Sequence, residues 1–192
     1  DTISKLYNRF VEARHDASDA NRVLIHSGKV QKTVEAFRDK VVTHHVQVLE
    51  ELVVQCFNQL LRKDTLISAV KIDPKTFEIQ LKDSGWQTLR PEILSAGERQ
   101  LFAVSLIWAL GKASGRPLPT IIDTPMGRLD SVHRSHLIER YFPQASNQVI
   151  LLSTDEEIGA PEYQRLRKNI SRSYTLSFDD NLDGSIVKKG YF

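Results

Sequence analysis

Pro119-Thr120-Ile121-Ile122-Asp123-Thr124-Pro125-Met126-Gly127-Arg128-Leu129-Asp130 is the stretch on which the fold turns. Thr120 to Ile122 predicts a short buried strand that ends on a carboxylate and is stopped by Pro125. Downstream, Ser131 to Tyr141 predicts a helix and Gln148 to Leu152 a second buried strand. Strand, helix, strand with apolar runs predicts an α/β fold, a parallel sheet covered by helices. An aspartate at the carboxyl end of a central strand is placed where such sheets bind ligands, and a hard carboxylate suits Mg²⁺ held through water. The same aspartate could equally cap a turn.

Upstream stands Leu94-Ser95-Ala96-Gly97-Glu98-Arg99-Gln100, directly before an apolar run from Leu101 to Leu110. That run is apolar on all sides, so it predicts a buried helix. Ser95 can cap the helix, and Gly97 lets another molecule approach the backbone. The unsatisfied N–H groups and the positive dipole end would then face an anion such as phosphate. A plain N-cap with Glu98 as capping-box partner fits the same residues. Gly111-Lys112-Ala113-Ser114 imitates the tail of a phosphate loop, but an apolar helix precedes it. Gly111 therefore reads as a helix C-cap and Lys112 as surface. Pro117 and Pro119 close the loop that follows.

Further out, residues 1–62 contain no proline and a single glycine, Gly28. Leu6, Phe10, Ala13, Ala17, Ala20 and Leu24 form one heptad seam, and Val42, Val46, Leu49, Val53, Cys56 and Leu60 another. At ~1.5 Å per residue a helix of this length overshoots a small domain, which favours a coiled-coil arm. The seams differ in phase, which predicts a break, hinge or change of packing partner beside His26, Ser27 and Gly28. Leu66 to Ile72 and Thr76 to Leu81 read as strands joined at Asp73-Pro74, with a turn at Asp83-Ser84-Gly85 and Trp86 as a packed β residue. Tyr174 to Phe178 and Ser185 to Lys189 read as a closing hairpin.

Composition bounds the function loosely. A net charge of +2 is too small to argue for nucleic acid by itself. Residues 1–10 lack the pattern of a signal peptide, and no run of eighteen apolar residues exists, so the expectation is a cytoplasmic protein without membrane contact. The only methionine is Met126, so the chain is expected to be a piece of a longer protein. Cys56 reads as a packed thiol. His133 and His136 read as surface residues lacking a third metal ligand, and His44 and His45, on different helix faces, as solvated or seam positions. Arg165, Arg167, Lys168 and Arg172 form a small basic cluster that reads as a solvated helix face, with contact to nucleic-acid phosphate as the alternative.

Four motifs now stand in order: Leu94 to Gln100, Asp123 after its strand, Gly127 to Asp130, and Ser153-Thr154-Asp155-Glu156-Glu157 after the strand Val149 to Leu152. Together they resemble the signature, Walker B, D-loop and switch of the SMC-like ABC-type ATPases. Their wording is similar to the DndD family of DNA phosphorothioation systems. The resemblance implies the C-terminal lobe of an ATPase head (63–192), with parallel sheet and flanking antiparallel hairpins, preceded by a coiled-coil arm (1–62). It implies ATP and Mg²⁺, hydrolysed between two heads of a homodimer acting on DNA. The Walker A loop, G-x-x-x-x-G-K-[ST], is missing and would come from a separate N-terminal lobe. Ser95, Ala96, Gly97 and Glu98 would meet the partner head's nucleotide in trans, Asp123 would support Mg²⁺ through water, and Asp130 would communicate across the dimer. Other phosphorothioation proteins are implied partners. The family's Glu and His are replaced by Thr124 and Thr154. Threonine is no general base near neutral pH, so Asp155 and Glu156 are the substitutes the sequence offers. An ATP-gated clamp with little hydrolysis and an SMC-like DNA repair ATPase are the alternatives.

Overall fold

A computed structural model describes residues 2–61, 67–116 and 118–191, with the backbone alone for residues 2, 10–20 and 91. Its elements separate into two compact units, residues 1–48 with 73–77 and residues 49–72 with 78–192. The boundary expected between 62 and 63, the strand start at Leu66 and the turn residue Pro117 lie outside the described residues.

Helix α1 (Thr2–Leu60) is continuous. The break expected beside Gly28 does not occur, because the backbone ladder is indifferent to which face carries the apolar residues. A Cβ at Gly28 would meet nothing within 4 Å, so this glycine costs only its entropy. Of the first seam, Leu6 and Leu24 are exposed, while the side chains of Phe10, Ala13, Ala17 and Ala20 lie outside the described residues. Of the second, Val46, Val53, Cys56 and Leu60 are buried, and Val42 and Leu49 half-buried. The first unit also holds the turn Asp73–Phe77. There Asp73 Oδ1 accepts from the N–H groups of Lys75 at 2.7 Å and Thr76 at 2.9 Å. Those bonds, Thr76's first, hold the Asp73 carboxyl below its usual range.

In the second unit, strands β1 (Ala69–Ile72), β2 (Ile79–Lys82) and β3 (Thr88–Leu89) form an antiparallel meander. Glu50 staples it to the end of α1: Oε1 accepts from Ile72 N at 2.8 Å and Oε2 from Lys71 Nζ at 2.7 Å. Trp86 is not packed. It is exposed in the turn before β3 with φ 60°, because the Asp83 side chain draws the backbone of Gly85 and Gln87 into a tight loop that turns the indole outward.

Helix α2 (Ala96–Ser114) runs through Gly111 and ends at Gly115, whose left-handed φ of 61° is the real C-cap. Lys112, a good helix former, is thereby held in the helix and lies 4.1 Å from the Trp108 ring. One face of α2 is core: Leu101, Ser105, Trp108 and Ala109 are buried. Phe102 meets Phe57 edge-on at 5.5 Å, and Trp108 meets Tyr141 at 5.2 Å. The opposite face is open, with Ile107 58% and Leu110 49% exposed, so the helix is not buried all round as its composition suggested.

Strands β4 (Thr120–Asp123) and β5 (Val149–Leu152) pair in parallel, with Thr120 opposite Val149 and Asp123 opposite Leu152. This sheet too is covered on one face only, since Ile121, Ile150 and Leu152 are exposed. Pleating sends alternate residues to opposite faces, and the apolar runs alone do not reveal that one face lacks a cover among the described residues. Helix α3 (Ser131–His136) continues into a π-helical turn, Leu137–Tyr141. From these elements Arg140 Nη1 donates to Gln59 O at 2.8 Å, and His136 Nδ1 lies 2.9 Å from Leu60 O. They serve the last carbonyls of α1, which has no basic residue in its own last turn. His136 and His133 are thus half-buried structural residues, not the surface pair expected. Helix α4 (Ala160–Leu166) follows β5, and β6 (Tyr174–Asp179) pairs with β7 (Gly184–Lys189) as the expected closing hairpin. Among the described residues no helix is long and apolar enough to cross a membrane.

Candidate functional site

The turn before α2 is built as a capping box. Ser95 Oγ accepts from Glu98 N at 3.2 Å, and Glu98 Oε2 accepts from Ser95 N at 2.8 Å. Capping uses an acceptor lone pair of Ser95 and leaves its hydroxyl proton to donate elsewhere. The helical geometry itself supplies no acceptor for the N–H groups of Ala96 and Gly97. Arg99 is clamped beside them, donating from Nη1 to Leu94 O at 2.6 Å.

The loop after β4 is packed onto this turn. A Cβ on Gly97 would stand 3.2 Å from Arg128 O and 3.5 Å from Leu129 Cδ2, so glycine is what lets the two backbones approach. Gln100 Nε2 reaches Pro125 O at 3.5 Å. Two segments nearly thirty residues apart thus share an open cleft of ≈ 460 Å³, lined by Ala96, Arg99, Gln100, Thr124, Gly127 and Arg128. Two arginines among its lining residues, the N-terminal turn of α2 and the absence of a lining carboxylate suit this cleft to an anion.

Asp123 closes β4 with its carboxylate exposed. Thr124 N continues the ladder to Leu152 O at 3.0 Å, and Thr124 Oγ1 donates to Asp123 Oδ1 at 3.2 Å. Thr124 and Arg128 both hold left-handed backbones, φ 50° and 64°. Asp130 is the N-cap of α3, accepting from His133 N at 2.8 Å, with His133 Nδ1 at 3.1 Å. One exposed carboxylate fits Mg²⁺ where phosphate oxygens complete the shell, which is how that ion is usually held. Among the described residues no group of three or more His, Cys, Asp or Glu could hold a metal without such help.

The parallel register brings Ser153 to Asp155 to the same edge as Asp123. Thr154, Asp155 and Glu156 are exposed, in a turn and not at a helix start: α4 begins at Ala160, with Gly159 as N-cap. Asp155 and Glu156 therefore cap no helix, and Pro161 suits the first turn of the one that starts later. Thr154 O instead accepts from Glu157 N at 3.2 Å and Ile158 N at 3.1 Å.

Two residues near the site were missed. Tyr191 Oη lies 2.8 Å from Ser153 Oγ and donates to Thr154 O at 3.2 Å, its ring stacked on Tyr163 at 5.1 Å. Glu157 is buried, only 7% exposed, and its Oε1 accepts from Met126 N at 3.1 Å. Nothing local distinguishes it from the two acidic residues before it; the buried Ile158 beside it is the nearest signal.

No protein-family model matches the chain. A DNA double-strand break repair Rad50 ATPase of Halobacterium salinarum is 29% identical over 133 residues, covering 64% of this chain. The chain spans only 15% of that relative's length. Among solved structures, the Smc head domain with coiled coil and joint from Pyrococcus yayanosii superposes with a TM-score of 0.60 at 18% identity, covering 82% of this chain and 29% of that one. The Pyrococcus furiosus Smc head domain with an extended coiled coil, bound to the C-terminal domain of ScpA, gives 0.58 at 17% identity, covering 82% and 38%. A chain from work on ATP-driven dimerization and DNA-stimulated activation of SMC ATPases gives 0.57 at 18% identity, covering 80% and 89%. The long helix, parallel strand pair and flanking antiparallel sheets of this chain are therefore the fold of the C-terminal lobe of an SMC head domain.

Proposed function

We propose that the chain is the C-terminal half of an SMC-like ABC ATPase of the DndD family, which binds and hydrolyses ATP between two heads and acts on DNA during phosphorothioate modification. The observation that carries this reading is the convergence of the Ser95–Gln100 turn and the Asp123–Leu129 loop on one arginine-lined cleft. Ser95 presents its hydroxyl and Ala96 and Gly97 their N–H groups to the γ-phosphate of a nucleotide held by the partner head, while Glu98, its own N–H taken by Ser95 Oγ, holds the turn in shape beside it. Asp123 supports Mg²⁺ through water, and Asp130 lies at the dimer contact. Water activation falls to Asp155 or Glu156, the exposed carboxylates of the turn beside Asp123. The open faces of α2 and of β4 and β5 suit the N-terminal lobe that carries the Walker A loop. The break-repair role of the Rad50 relative keeps a repair ATPase as the neighbouring alternative.

One observation favours an ATP-gated clamp with little turnover: Thr124 occupies the position after Asp123 and spends its hydroxyl proton on that carboxylate. Steady-state ATPase of the full-length protein, with and without DNA, separates the two readings. Turnover well above background, abolished by Ser95→Arg with nucleotide binding retained, supports the ATPase; a flat baseline supports the clamp. Mass spectrometry of nuclease-digested DNA from cells carrying Ser95→Arg tests the modification step. Undiminished phosphorothioate there excludes a role for the head in sulfur incorporation.

A further inference from the structure

The turn after β5 and the loop after β4 are joined by a single buried carboxylate. Glu157 Oε1 accepts from Met126 N at 3.1 Å and lies 3.7 Å from where a Cβ on Gly127 would stand. The backbone of Glu157 is itself tied to Thr154 O, which also receives Ile158 N and the Tyr191 hydroxyl. On the far side, the 126–129 loop rests on the α2 turn through Arg128 O and Gly97. A physical chain therefore runs from Thr154, through one side chain, to Met126 and on to the Ser95–Gly97 turn.

The other oxygen, Glu157 Oε2, is buried with no hydrogen-bond partner among the described residues. An acidic side chain with one buried oxygen left unsatisfied is an expensive way to hold a loop. Thr124 and Arg128 flank the tethered segment in left-handed backbone, a conformation that non-glycine residues keep only where the surroundings impose it.

We propose that Glu157 is a positioning residue that couples the turn at Thr154 to the loop at Met126–Leu129, so that what happens at the strand ends of one head is passed to the surface offered to the other. This rests on the ATPase reading above. Glu157 is too buried to reach a nucleotide itself and acts through the Met126 amide.

The test uses the full-length protein with Glu157→Ala and Glu157→Gln. Glutamine keeps an acceptor for Met126 N; alanine does not. Hydrogen exchange is expected to speed up at Met126–Leu129 in Glu157→Ala and to stay near wild type in Glu157→Gln. In ATP hydrolysis, Glu157→Ala should lower kcat roughly 10- to 100-fold, the scale of a displaced positioning element, with KM for ATP within about twofold. Glu157→Gln should recover most of kcat. If Glu157→Ala does not fold, Glu157→Asp, one methylene too short to hold the amide, takes its place. Unchanged exchange, or unchanged kcat in a variant with faster exchange, overturns the coupling alone. A Glu157→Gln variant as slow as Glu157→Ala overturns it too, since the acceptor is then not what matters. A wild type that neither binds nor turns over ATP sinks the ATPase reading and the coupling with it.

Discussion

Thr124 carries a branched side chain on a backbone with φ 50°, immediately after the carboxylate that ends β4. Left-handed backbone costs a non-glycine residue about 1–3 kcal/mol, and the hydroxyl recovers part of that by donating to Asp123. Thr124→Gly is therefore expected to stabilise the chain by about 0.5–1 kcal/mol, read as a rise in the urea midpoint, while Thr124→Ser gains nothing. A lowered midpoint for the glycine variant would show the strain to be compensated elsewhere. Two buried acids set an alkaline limit on stability. Burial pushes the Cys56 thiol up from its ordinary value, with Lys112 pulling it back, and it pushes the Tyr141 phenol up to about 12. Both groups are raised in the folded state, so their contribution is full below their unfolded values and is lost as pH rises through the folded ones. For Tyr141 that window runs from about 10 to about 12. Urea midpoints should fall across it in the wild type and fall less steeply in Tyr141→Phe. A midpoint insensitive to the substitution over that window removes Tyr141 as the cause.

At the scale of elements, α2 has two faces with different energetic standing. Trp108 is buried against Tyr141 and donates from Nε1 to Gln144 O at 3.3 Å, whereas Leu110 on the other side is half exposed. Trp108→Ala should cost about 3–5 kcal/mol in the isolated chain, as large core truncations do. Leu110→Gln should move stability by no more than about 0.5 kcal/mol. Chemical denaturation of both variants checks this; a comparable loss at Leu110 would mean that the open face is already covered. The same helix shows how far the sequence can be read. Its start was legible, because Ser95 and Glu98 form a local capping signal that the structure contains bond for bond. Its end was not: Gly111 and Gly115 both look like caps, and the choice went to the one that adopts φ 61°. The pairing of β4 with β5, which places Asp123 beside Ser153–Asp155, followed from two apolar runs separated by a helix. Which sheet face would stay open did not follow, since burial is a property of neighbours and not of the strand. Trp86 was misread for the same reason, its outward turn being set by Asp83. Glu157 was invisible because its partner, Met126 N, lies thirty-one residues away.

For the whole molecule, the question is whether this chain can hold a nucleotide. It has an open cleft lined by Arg99 and Arg128 and an exposed carboxylate at Asp123, but its sequence contains no G-x-x-x-x-G-K-[ST] loop. The nearest imitation, Gly111-Lys112-Ala113-Ser114, lies within α2, where backbone N–H groups are spent on the helix and cannot close around phosphates. On the proposed reading, what remains would face the far side of a nucleotide cradled by another lobe. Two guanidinium groups in an open, solvated cleft hold a phosphate weakly, because water screens the attraction. The 192-residue chain is therefore expected to bind Mg²⁺-ATP no more tightly than about 1 mM, which corresponds to about 4 kcal/mol. Isothermal calorimetry on the isolated chain measures this directly. Micromolar binding would mean that the chain carries a phosphate cradle of its own and would remove the need for a second lobe. Millimolar binding by the chain, together with micromolar binding once a lobe carrying the missing loop is joined to it, is the expected pair of results.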